Sequence, residues 1–117
     1  MEVQIFGLKK SSETRAALRF FAERRIKTHF VDFTVRGPAK GELQRFAQKF
    51  GVGKLIDATS RRYQELGWGA ARYSDDTWLD RLVDEPAVLK MPLVRWQQQL
   101  TIGAAETVWK GWIQAAP

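Results

Sequence analysis

The period of the hydrophobic positions switches repeatedly along the chain, and the switches predict alternating strands and helices. Residues 3–6 are apolar and β-prone, and Gly7 ends the run ahead of two lysines and two serines, which predicts a strand over 2–6 followed by a loop. Ala17, Phe20 and Phe21 then stack at helical spacing behind Ser11 and Ser12, either of which can cap a helix, while Glu13 suits the positive N-terminal end. Residues 28–33 carry β-branched and aromatic side chains and predict a second strand, so the opening reads as a right-handed βαβ unit with parallel strands. Gly37 and Pro38 break the chain. From Ala39 onward, Leu43, Phe46, Ala47 and Phe50 follow helical spacing, with Gly51 where a C-cap glycine belongs.

Residues 61–66 predict a short helix, and Ser74 can cap another that carries Trp78, Leu79, Leu82 and Val83 and is closed by Pro86. Residues 92–96 and 99–103 predict an antiparallel hairpin, although Gln97 and Gln98 are poor turn formers. Ala105, Val108, Trp109 and Trp112 are expected along one face of a final helix. The order predicts an α/β fold with about four strands in a mixed sheet, in a single domain over residues 1–117, with no repeat or linker.

Composition narrows the chemistry. The chain has no cysteine, which excludes disulfides, thiolate metal sites and a cysteine nucleophile. No motif calls for a cofactor or a metal. No apolar run approaches the roughly 18 residues of a membrane span, and the N-terminus reads as a strand rather than a signal segment, so a cytoplasmic location without membrane contact is expected. The net charge of +6 favours anionic ligands or partners. Its carriers in the first third, Lys9, Lys10, Arg15, Arg19, Arg24, Arg25 and Lys27, form neither a recognition helix nor an arginine-rich arm, which argues against a nucleic-acid reader.

Four stretches together resemble one family. "IFGLKKSSETRAALRFF", "GPAKGELQRFAQKFG", "LIDATSRRYQELG" and "PAVLKMPLVRWQQQLTIG" are similar to the strand, active-site loop, helices and proline-containing hairpin of the arsenate reductase (ArsC)-like group, which includes the Spx-type regulators. The resemblance covers nearly the whole chain and implies a thioredoxin-like fold with a helical insertion. It also implies that Pro92 is a cis proline and that the loop matches the family's thiol site. There the family's cysteine is replaced by Ser11, and the arginine that commonly precedes the loop proline by Met91. A second family arginine aligns with Thr59, with Arg61 and Arg62 displaced by two or three residues. One cysteine-to-serine replacement would account for Ser11 and leave Met91 unexplained.

An unactivated serine hydroxyl is barely ionised at neutral pH, whereas a helix N-terminus can hold a cysteine as thiolate. Ser11 and Ser12 can be plain helix caps. Alternatively, Lys9, Lys10, Ser11, Ser12, Glu13, Thr14 and Arg15 form a candidate anion-binding loop, since first-turn N–H groups and two ammonium groups suit an oxyanion or an acidic side chain. Its helix N-terminus is expected to be exposed beside Pro92. Arg61, Arg62 and Arg95 are candidate oxyanion contacts whose plain reading is solvated surface. His29, on a predicted strand, is assigned a structural role. The tryptophans at 78, 109 and 112 read as core, and exposure of Trp68 or Trp96 would indicate a protein-binding surface.

Two functions compete. One is a non-catalytic interaction or regulatory module; the Spx-type resemblance implies a cytoplasmic protein partner and, by analogy alone, the α subunit of RNA polymerase, with Gly51 and Gly53 near the family's contact region. The other is an arsenate reductase-like oxidoreductase that draws on an external thiol such as glutathione and uses the loop only to bind the oxyanion.

Overall fold

The computed structural model describes residues 1–117 as four strands and five α-helices in two compact units, one formed by Met1–Arg36 with Met91–Pro117 and the other by Gly37–Lys90. The first unit holds β1 (Glu2–Gly7), α1 (Ser12–Glu23), β2 (Lys27–Asp32), β3 (Leu93–Trp96), β4 (Gln99–Ile102) and α5 (Glu106–Ala115). Its sheet has the order β2-β1-β3-β4, with β1 and β2 parallel and the remaining pairs antiparallel. The βαβ opening and the hairpin therefore form where the hydrophobic pattern predicts them, with ends shifted by about one residue, as expected at element boundaries.

Strand alternation sorts the sheet into two faces. Val3 and Ile5 of β1 and Val94 and Trp96 of β3 join Ala17, Phe20 and Phe21 of α1 and Trp109 and Trp112 of α5 in one core. Trp109 lies 5.3 Å from each of the Phe20 and Phe21 rings, and its indole N–H donates to the Thr101 hydroxyl of β4 at 2.8 Å. That bond satisfies both of the buried polar atoms it joins, without which each would carry a desolvation cost. One expectation fails here. Val108 is 47% exposed rather than part of the core face. The buried stripe continues from Trp109 to Trp112, with Ile113 and Ala116 packed beside it, which rotates Val108 to the outer edge.

The second unit is helical: α2 (Lys40–Phe50), α3 (Arg61–Leu66) and α4 (Asp75–Asp84), joined by 3₁₀ turns. In α2 the Glu42 carboxylate accepts the Ala39 N–H at 3.2 Å, Leu43 and Phe46 are buried, and Gly51 ends the helix at φ +90°. Such a φ strains any residue with a Cβ. Lys40 ties α2 to α4 through Asp76 at 2.7 Å and Asp80 at 3.0 Å, and these partners raise its pKa, Asp76 most. Trp78, edge-on to Trp68 and Tyr73, anchors α4.

Arg62 of α3 grips Glu85 with two parallel bonds of 2.8 Å each. The guanidinium holds the Glu85 carboxyl below its ordinary range against a smaller opposing effect of burial. A carboxyl depressed in the folded state adds stability that is full above the unfolded-state pKa and is lost as pH falls through the depressed one. Glu85→Gln should therefore lower the urea midpoint at neutral pH, and the gap to the unmodified chain should close as the pH drops below the ordinary carboxylate range. A gap of constant size down to the acid transition would remove the ion pair as its cause.

Candidate functional site

The loop between β1 and α1 is built by three local decisions. Gly7 closes β1, and its carbonyl accepts the Phe33 N–H at 3.0 Å, which carries the β1–β2 pairing one residue past β2. The Ser11 N–H then returns to the Leu8 carbonyl at 3.0 Å, closing a turn across the two lysines. Ser11 stops in an extended conformation and caps α1, its hydroxyl oxygen accepting the Thr14 N–H at 3.1 Å. Of the two serines, Ser11 is the cap; the Ser12 hydroxyl donates to the Glu13 carboxylate at 3.2 Å.

The first turn of α1 is only partly free for a ligand. With the Thr14 N–H taken by Ser11 and the Arg15 N–H by the Ser11 carbonyl, the N–H groups of Ser12 and Glu13 remain without a protein partner. Lys9 and Lys10 are exposed beside them. The Arg15 guanidinium turns back to the Lys9 carbonyl at 2.7 Å and braces the turn. Against an anion stand two carboxylates. Glu13 is exposed in the same turn, and Asp32, paired in register with Gly7, has a carboxyl held below its ordinary value by the Thr34 hydroxyl first, then the Thr34 N–H, with a further contribution from Lys9.

Thr14 departs from its expected role. Its side chain is fully buried and its hydroxyl has no hydrogen-bond partner, so it lines the interior rather than the mouth of the loop. A Cβ at Gly7 would lie 2.5 Å from the Thr14 hydroxyl oxygen and 3.0 Å from its methyl carbon. Position 7 is therefore glycine because the start of α1 packs directly on the β1 backbone.

Of the remaining sequence candidates, only Pro92 lies near this loop. The Met91–Pro92 peptide bond is cis, and because Leu93 pairs with Phe6, Pro92 lies at the same end of the sheet as Gly7. Arg95 pairs in register with Gln4, toward the other end of β1, and its Nε donates to the Gln97 carbonyl at 2.7 Å. Arg62 is committed to Glu85, and Arg61 lies 3.7 Å from Glu65. His29 is exposed on β2 opposite Gln4 and has no core role. Trp68 and Trp96 are buried, so neither offers a docking surface. No group of three His, Cys, Asp or Glu side chains is placed to hold a metal ion, and no helix is long and apolar enough to cross a membrane. The unpartnered Thr14 hydroxyl leaves little trace in the sequence, where its only signal is a threonine amid the apolar positions of α1.

Known proteins place this architecture. An arsenate reductase of Neisseria meningitidis serogroup A is 29% identical over 105 residues, spanning 87% of this chain and 90% of the relative. The structure of an arsenate reductase from Vibrio cholerae superposes with a TM-score of 0.81 at 25% identity, over 94% of this chain and 97% of the other. That of an arsenate reductase (ArsC) related protein from Brucella melitensis gives 0.71 at 17% identity, over 97% and 96%. The mixed sheet, its helices and these neighbours identify a thioredoxin-like fold of the ArsC type. The ArsC family model matches residues 6–111, from the end of β1 into α5, and with a serine at the cap of α1 and no cysteine anywhere, the chain belongs to the ArsC family.

Proposed function

We propose that this ArsC-family chain is a non-catalytic binding module whose loop between β1 and α1 takes an anion or an acidic side chain of a protein partner. One observation carries the reading: the loop presents a serine whose hydroxyl oxygen is engaged as a helix cap, in a chain without a thiol. Serine becomes a nucleophile only beside an oriented general base. The neighbouring Glu13 carboxylate is exposed and 3.5 Å from the Ser11 hydroxyl, and the chain's one histidine sits opposite Gln4, three residues short of Gly7 along β1. Binding without bond-making is the chemistry left to the loop.

The two free N–H groups, the positive end of α1 and the ammonium groups of Lys9 and Lys10 attract an anion, while Glu13 and Asp32 oppose it. Binding should accordingly be weak, reversible and reduced by salt. By analogy with Spx-type members, the α subunit of RNA polymerase is one acidic-partner candidate. The arsenate reductases among the relatives support a second reading, oxyanion reduction by an external thiol such as glutathione.

A thiol-dependent arsenate reduction assay decides between them. The unmodified chain should show no turnover with glutathione beside an active arsenate reductase control, and clear turnover would overturn the non-catalytic reading. Sulfate titration followed by amide shifts of residues 9–15 tests the binding half. Replacing Lys9 and Lys10 by glutamate should abolish any shift, because attraction becomes repulsion. No shift at millimolar sulfate and low ionic strength would leave helix capping as the loop's whole role.

A further inference from the structure

Arg95, which the loop does not use, belongs to a different feature of the same unit. An open cleft of about 400 Å³ is lined by Glu2, Gln4, Arg95 and Gln97. It lies on the sheet face opposite the α1–α5 core, because Gln4 alternates with the buried Val3 and Ile5, and Arg95 with the buried Val94 and Trp96. Register sets Gln4 directly beside Arg95.

The hairpin turn gives this cleft its geometry. Trp96 pairs with Gln99, so Gln97 and Gln98 alone connect β3 to β4, and Gln97 adopts φ +55° where a turn of this kind prefers glycine. A strained non-glycine residue persists when its surroundings over-determine it, and such residues collect at ligand clamps. Here the Gln97 carbonyl accepts the Nε–H of Arg95 at 2.7 Å. This fixes the guanidinium while leaving its terminal nitrogens without a partner in the protein. Arg95 has no acidic partner, whereas Glu2 at the rim faces Lys27 at 3.9 Å.

We propose that this cleft is a binding site for a small organic carboxylate, gripped by the terminal nitrogens of Arg95 and the side-chain amide of Gln4. A guanidinium pinned at Nε presents its NH1–NH2 edge, whose spacing matches the two oxygens of a carboxylate. Glu2 selects against more highly charged ligands: a phosphate dianion would meet a carboxylate at the rim, a repulsion that a monoanion feels half as strongly. The site is separate from the β1–α1 loop and does not depend on the function proposed for it.

Nuclear magnetic resonance titration of the full chain with butyrate at low ionic strength tests the site, with inorganic phosphate in a parallel arm. Butyrate should shift the amides of residues 2–4 and 95–97 and the Arg95 Nε–H in a saturable way, and phosphate should leave them in place. Arg95→Gln should remove the response. Arg95→Lys, which keeps the charge and loses the fork, should weaken it about tenfold. Arg95 is half-buried on the open face of the sheet, and an otherwise unchanged spectrum verifies the fold. No saturable shift at tens of millimolar butyrate would overturn the site; an undiminished response in Arg95→Lys would overturn the recognition, and equal shifts with phosphate the ligand class.

Discussion

Trp109→Ala should cost about 3–5 kcal/mol, the range for truncating a fully buried tryptophan. The ring is 1% exposed, touches Phe20 and Phe21, and is fixed by its bond to Thr101. Alanine would leave a cavity between α1 and the sheet and strand the Thr101 hydroxyl without its donor. Because a domain of this size is stable by about 5–15 kcal/mol in total, that loss is a large fraction of what keeps the chain folded. Trp109→Phe keeps most of the ring contacts and loses the N–H, so its loss should fall near the 1–3 kcal/mol of one unpaired buried polar group. Urea denaturation checks both, as a fall in midpoint at constant slope. Equal losses in the two variants would mean that the hydrogen bond, rather than the packed ring, carries the site.

Gly7→Ala should cost about 1–3 kcal/mol, the usual cost of overpacking. The new Cβ would sit 2.5 Å from the Thr14 hydroxyl oxygen and 3.0 Å from its methyl carbon. Thr14 is fully buried in the first turn of α1, so relief must come from moving the helix start away from β1. That movement would also disturb the Ser11 cap. A double-mutant cycle separates shape from polarity. Thr14→Val preserves the bulk, so Gly7→Ala should remain costly in that background. Thr14→Ala removes both clashing atoms, and Gly7→Ala there should lose most of its penalty. Additive losses in both backgrounds would show that the contact with Thr14 is not what restricts position 7.

Much of the first unit was legible from local pattern. The β-prone run of residues 3–6, the helical spacing of Ala17, Phe20 and Phe21, and the tryptophans of α5 each report a buried face, because burial is what makes apolar positions periodic. The serine cap of α1 was legible too, since a cap requires only a side-chain oxygen within three residues of its partner. That the chain carries no thiol of its own needed no structure. It follows from the absence of cysteine.

What the sequence withheld depends on residues distant along the chain. Val108 shares the spacing of the α5 core, yet the rotation of α5 on the sheet leaves it outside. Arg62 reads as a free cation until the fold brings Glu85 to it across 23 residues, and Thr14 reads as a loop ligand until α1 settles on Gly7. Gln97 and Gln98 looked like a weak turn; only pairing of β3 with β4 forces Gln97 into a left-handed conformation and aims its carbonyl at Arg95. Periodicity reports which face of an element is buried, but a partner's identity is set by register, helix rotation and the space left between packed backbones. Those quantities exist only once distant segments have met.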